Sequence, residues 1–155
     1  MGQFTTESSL LEKIRDSRTD KKVVFTNGCF DLLHIGHIRY LQAAKALGDI
    51  LIVALNTDTS VKKLKGSTRP IQTENDRAEI LAALECVDYT FLFNEETPER
   101  VIHLIKPDIL AKGGDWKIEQ IVGAPFVQSY GGQVYSLPFV DGKSTTRLIE
   151  KSSQK

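Results

Sequence analysis

The sequence predicts an α/β fold: a doubly wound, mainly parallel five-stranded sheet with helices on both faces. Three observations predict it. Short apolar runs of strand length alternate with helix-patterned segments along the chain. One run, DILIVALN, is apolar without alternation, as a strand buried on both faces is. The turns that follow the strands are polar, glycine-bearing or basic, and in such sheets ligands bind beyond the carboxyl ends of the strands.

The elements follow in order. A short amphipathic helix at about 7–18 places Leu10, Leu11 and Ile14 on one side. KKVVFTN reads as the first strand. IGHIRYLQAAKALG reads as a helix ending at Gly48, with lysine and glycine where a helix end favours them. DILIVALN is the second strand, and KKLKGSTRP a basic loop. TENDRAEILAALE is a helix capped by Thr73, with acidic residues in its first turn and Ile80, Leu81 and Leu84 on its apolar face. VDYTFLF is the third strand. TPERVIHLI opens on Thr-Pro, a good helix start. PDILAKGGD is a strand running into a glycine turn, GGQVYSLP the last strand, and STTRLIEK the last helix, capped by Ser144. The four strand-to-helix turns are Thr26–His37, Asn56–Lys65, Lys112–Asp115 and Asp141–Thr146.

Length and composition bound the function. The 155 residues, 41% hydrophobic, fit one domain spanning 1–155 with its core at about 21–151. Lysine plus arginine equals aspartate plus glutamate, 20 each, so no global field argues for nucleic acid or an anionic membrane as partner. Cys29 and Cys86 lie far apart without metal-ligand spacing. Together with a polar, charged N-terminus and no run of bilayer length, they predict a cytoplasmic protein.

The chemistry concentrates in TNGCFDLLHIGHIRYL, Thr26 to Leu41. His34 and His37 stand three apart, on one face of a starting helix. Gly36 between them lets a ligand approach the backbone. The helix start adds free N–H groups and a partial positive charge, which together suit phosphate. From spacing alone the pair is equally two satisfied polar residues. Zinc needs further ligands, and the third histidine, His103, lies in a separate helix. Cys29 reads better as a small packing residue at the strand end than as a nucleophile. Gly142-Lys143-Ser144-Thr145-Thr146 is either an ordinary capped helix or a second phosphate cradle of hydroxyls and free N–H groups.

Thr26-Asn27-Gly28-Cys29-Phe30-Asp31 with His34-Ile35-Gly36-His37 resembles the HxGH nucleotidyltransferase superfamily, whose fold is Rossmann-like. Gly142 to Thr146 resembles the G-x-S-T-T segment of its small cytidylyl- and adenylyltransferases. Further pieces occur in order: Leu64-Lys65-Gly66 with Arg69-Pro70, Arg77 to Leu84, Val87-Asp88-Tyr89, Glu96-Thr97-Pro98, Lys106-Pro107-Asp108, Lys112-Gly113-Gly114-Asp115-Trp116 and Gly131-Gly132. Over roughly residues 8 to 151 the chain is similar to the bacterial D-glycero-β-D-manno-heptose 1-phosphate adenylyltransferase domains. The glycerol-3-phosphate cytidylyltransferases carry arginine where this chain has Phe139, and isoleucine where it has Lys143.

The resemblance implies a reaction of ATP with a heptose 1-phosphate, giving ADP-heptose and pyrophosphate for lipopolysaccharide core synthesis. It implies His34, His37 and Lys65 as catalytic residues. Thr26, Asn27, Gly28, Cys29, Phe30, Gly36, Arg69, Lys112, Asp115, Ser144, Thr145 and Thr146 are implied as nucleotide contacts. Asp31, Asn56 and Arg77 are implied as contacts to the sugar phosphate, with a metal contact or helix capping open for Asp31 and a surface ion pair open for Arg77. Mg²⁺ is expected as cofactor, bound mainly by the ATP phosphates rather than by protein ligands. A homodimer is the expected assembly. A cytidylyltransferase for a polyol phosphate and a non-catalytic nucleotide-binding module are the rival readings.

Overall fold

The computed structural model describes residues 1–154. Its strands are β1 (Gln3–Phe4), β2 (Val23–Gly28), β3 (Ile50–Asn56), β4 (Tyr89–Phe93), β5 (Ile109–Gly113) and β6 (Gln133–Leu137). Its helices are α1 (Glu7–Ser17), α2 (Ile35–Lys45), α3 (Asp58–Lys65), α4 (Glu74–Ala82), α5 (Glu99–Ile105), α6 (Ala124–Ser129) and α7 (Thr145–Ser153). The strands form one sheet in the order β1-β4-β3-β2-β5-β6, and every pairing is parallel.

β3 shows why the sheet is covered on both sides. All seven of its residues are buried. Ile50, Ile52 and Ala54 join one apolar cluster with Leu10, Phe25, Ile102 and Val127, from α1, β2, α5 and α6. Leu51, Val53 and Leu55 join a second with Leu41, Ala44, Ala78 and Leu81, from α2 and α4. Successive side chains of a strand point to opposite faces, so an unbroken apolar run serves two cores at once.

The sheet has six strands where the sequence predicts five. The extra strand, β1, is two exposed residues long and pairs Gln3 with Tyr89 and Phe4 with Thr90. So short a piece leaves no periodicity to read. A second correction concerns the basic loop. Lys62 to Lys65 are the last turn of α3, which starts where Thr57 Oγ1 accepts from Ser60 N and stops at Gly66, at φ +96°. Only Gly66 to Pro70 remain loop. The helix α6, capped at Gly123 with φ +86°, is unforeseen; its six residues are too few for a helical period.

β2 is the second central strand and runs straight into the histidine segment. Its end, with those of β3 and β5, opens on one side of the molecule, beside the start of α7. There the functional residues gather.

Candidate active site

A cavity of about 480 Å³ lies over the carboxyl ends of the strands. Asn27, Gly28, Cys29 and Phe30 line it from the β2 end, His37 and Tyr40 from α2, and Asn56 from the β3 end. Lys65, Arg69 and Lys112 bring positive charge, and Thr145 comes from α7. The volume is in the range of small-molecule sites.

His34 is the N-cap of α2. Its Nδ1 accepts from Gly36 N at 3.1 Å, and His37 Nδ1 accepts from His34 N at 3.3 Å. Each ring therefore uses its unprotonated nitrogen on the backbone, so the neutral tautomer carries its proton on Nε2. The rings lie 3.9 Å apart between centroids, tilted by 30°. Burial lowers the His37 pKa to about 4, helped by the nearby His34 and Lys65 charges. Burial and then Lys143 lower that of His34. The pair is thus two neutral Nε2–H donors at neutral pH. A Cβ on Gly36 would meet His34 Cε1 and Nδ1 at 2.8 Å, so a side chain there would displace the ring.

The turn before the pair is held in an unusual shape. Phe30 adopts φ +47°, the left-handed region that costs a non-glycine residue energy. Its ring fills the space a Cβ on Gly28 would need, 2.9 Å from Cε2. The same ring approaches His37 at 5.3 Å between centroids.

The structure sorts the implied residues. His37, Lys65, Arg69, Asn27, Gly28, Cys29, Phe30, Asn56, Lys112 and Thr145 line the cavity, and His34 lines a neighbouring hollow instead. Gly36 is buried against His34 rather than lining the cavity. Thr26 is fully buried and its hydroxyl bonds Tyr40 Oη, so it supports the cavity wall instead of facing a ligand. Asp115 and Thr146 are exposed and do not line the cavity. Ser144 caps α7 by accepting from Arg147 N at 3.1 Å. Arg77 is 1% exposed, and its guanidinium donates to Cys29 O (2.6 Å), Asp58 Oδ1 (2.8 Å) and Gln72 O (3.2 Å). It braces the turn from behind and is neither in the cavity nor in a surface pair. Asp31 is a cavity residue whose carboxylate is taken up by Arg69, Ile71 and Gln72. It is not a helix cap, because His34 holds that position.

Other contributors escape sequence reasoning. A second hollow of about 400 Å³ is lined by His34, Lys143, Ser144, Arg147 and Lys151, on the far side of the histidine pair. Arg147 carried the signal of a cation one turn into a capped helix. Tyr40, Phe139 and Trp116 give the first cavity its aromatic walls. Burial pushes the Tyr40 hydroxyl up to about 12, so it stays protonated and donates to Ala111 O at 3.2 Å. Burial also raises the Cys29 thiol and lowers the Lys112 amine. A protonated Cys29 is a poor nucleophile.

For a metal the protein offers little. Among the described residues no group of three or more His, Cys, Asp or Glu is arranged to hold an ion. The described residues do not form a cage for Mg²⁺. Nor is any helix among the described residues long and apolar enough to cross a membrane.

Residues 25–150 match the cytidylyltransferase-like family model. The chain is 60% identical over 137 residues to the bifunctional protein HldE of Citrifermentans bemidjiense, covering 88% of this chain and 28% of that one. It is 54% identical over 143 residues to the bifunctional protein HldE of Campylobacter fetus, covering 92% and 30%. The chain therefore spans about three-tenths of the length of these relatives. A solved lipopolysaccharide core biosynthesis protein from Thermoplasma volcanium is 31% identical, with TM-score 0.62, covering 79% of this chain and 99% of that one. The pantoate-beta-alanine ligase of Francisella tularensis superposes with TM-score 0.62 over 96% of this chain and 76% of that one; at 18% identity it shares the fold alone.

Proposed function

The chain belongs to the cytidylyltransferase-like family, and from that premise we propose that it joins ATP to D-glycero-β-D-manno-heptose 1-phosphate, giving ADP-heptose and pyrophosphate for lipopolysaccharide core synthesis. The observation that carries this reading is the close, tilted imidazole pair, both Nδ1 atoms occupied by backbone N–H and both Nε2 protons free. The similarity to HldE proteins and to a lipopolysaccharide core biosynthesis protein supports the choice of substrate.

In the proposed step a phosphate oxygen of the sugar phosphate attacks the α-phosphorus of ATP. The new P–O bond forms as the bond to the β-phosphate oxygen breaks, and pyrophosphate leaves with that electron pair. The attacking oxygen is already anionic at neutral pH, so no general base is required. Catalysis is then positioning and charge stabilisation. His37, with His34 beside it, donates from Nε2–H to oxygens on which charge grows. His34 also faces the hollow bearing Lys143 and Arg147, which suits the departing pyrophosphate. Lys65 and Arg69 neutralise phosphate charge from the cavity lining. Any Mg²⁺ would be held by the ATP phosphates rather than by side chains of this chain. The protein acts in the cytoplasm as a homodimer.

Pyrophosphate release with ATP or CTP, crossed with heptose 1-phosphate or glycerol 3-phosphate, tests the proposal. The ATP and heptose pair should be fastest. A preference for CTP and glycerol 3-phosphate would favour the cytidylyltransferase reading. His37→Ala should lower kcat by about a hundredfold or more with an unchanged circular dichroism spectrum. Full turnover in that variant would remove the central assignment.

A further inference from the structure

We propose that Asp31 is a positioning residue: it grips Arg69 by Nε so that the two Nη groups of the guanidinium face the cavity and clamp the triphosphate of the nucleotide. The inference rests on the nucleotidyltransferase reading above.

The Asp31 side chain has no exposed surface, and that of Arg69 is 12% exposed. Every hydrogen bond to the carboxylate comes from one short segment. Arg69 Nε donates to Oδ2 at 2.8 Å, Ile71 N lies 2.9 and 2.8 Å from Oδ1 and Oδ2, and Gln72 N donates to Oδ1 at 2.9 Å. Burial works against the carboxylate's charge. The Gln72 and Ile71 N–H groups and then Arg69 outweigh it and hold the carboxyl below its ordinary range. Asp31 is therefore a buried anion whose three donors all come from the protein.

Arg69 is in the reverse situation. Its Nε is engaged, yet among the described residues its Nη1 and Nη2 make no hydrogen bond, and the residue lines the cavity. A guanidinium held at Nε presents its outer edge as a planar two-pronged donor, the shape that suits phosphate. A free arginine loses rotamer entropy when it is immobilised on a ligand. Here that ordering is complete before the ligand arrives. Arg77 secures the arrangement from below by joining Cys29 O to Gln72 O, the two segments that Asp31 also joins.

The test measures the ATP dissociation constant by calorimetry, with kcat and thermal unfolding, for wild type, Asp31→Asn, Arg69→Ala, Arg69→Lys and the double variant Asp31→Asn with Arg69→Ala. Arg69→Ala and Asp31→Asn should each weaken ATP about tenfold or more, the scale of a lost charge-assisted bond. The double variant should be no weaker than the worse single, because both changes remove one clamp. Arg69→Lys should not restore affinity, since an amine cannot hold Asp31 and fork onto a phosphate together. ATP affinity within twofold of wild type in Arg69→Ala, or losses that multiply in the double variant, would overturn the inference. If Asp31→Asn fails to fold, Arg69→Lys decides: wild-type ATP affinity in that variant would show that no fork held at Nε is needed and would overturn the inference. A wild type that binds ATP but transfers to no acceptor would sink the functional reading and leave this one standing.

Discussion

At the scale of single residues, burial keeps the paired histidines uncharged. The His37 pKa of about 4 has a burial cause first and neighbouring positive charge second. Its sign fixes a stability prediction. An unfolded histidine takes up a proton near pH 6.5, whereas the folded one resists until about pH 4. The unfolded state binds more protons between those values, so this residue's contribution is intact above pH 6.5 and is lost as the pH falls towards 4. NMR titration of the ring should show its midpoint near 4, and unfolding at stepped pH should show the decline. A midpoint above 6 would mean the ring is not held as described. Cys29 supplies the converse check. Burial raises its thiol, so Cys29→Ala should keep kcat within a few-fold, and an inactive variant would reopen the case for covalent chemistry. The histidine pair was legible in the sequence because the i to i+3 spacing needs only a helix start. The role of Asp31 was not, because Arg69, Ile71 and Gln72 reach it from about forty residues away.

At the scale of elements, the start of α2 is a helix terminus made from the site's own side chains. His34 caps Gly36 N and His37 takes His34 N, so the two donors-to-be are also what orders the first turn. Gly36→Ala tests that coupling. Alanine is the better helix former by roughly 1 kcal/mol, so helix propensity alone would stabilise the protein. The Cβ at 2.8 Å from the His34 ring predicts lost activity, with kcat down at least tenfold and little loss of melting temperature. Unchanged kcat would show that the pair tolerates a shifted ring. α7 is tied to this turn from the other side, where Thr145 Oγ1 donates to Leu32 O at 2.8 Å. Long apolar strands such as β3 declared themselves. α3 did not, because its lysines resemble a solvated loop and only Ser60 and Val61 of its eight residues are buried.

At the scale of the whole molecule, Arg77 is the buried joint between the central turn and the α3–α4 region. Arg77→Ala leaves the Cys29 and Gln72 carbonyls and the Asp58 carboxylate without their partner. It should destabilise the fold by about 3 kcal/mol, read from denaturant unfolding. A loss below 1 kcal/mol would mean the brace is dispensable. The parallel architecture was legible from the alternation of strands and helices. The joint was not, since an arginine beside acidic residues on a helix reads as solvated until the turn is folded onto it. One further consequence follows from where the cations stand. The chain carries as many acidic as basic groups, yet Lys65, Arg69 and Lys112 outnumber Asp31 and Glu96 in the cavity lining, and Lys143, Arg147 and Lys151 outnumber Glu150 in the adjoining hollow. A local excess of cations on a neutral body draws polyanions toward that mouth from solution, and added salt slows their capture.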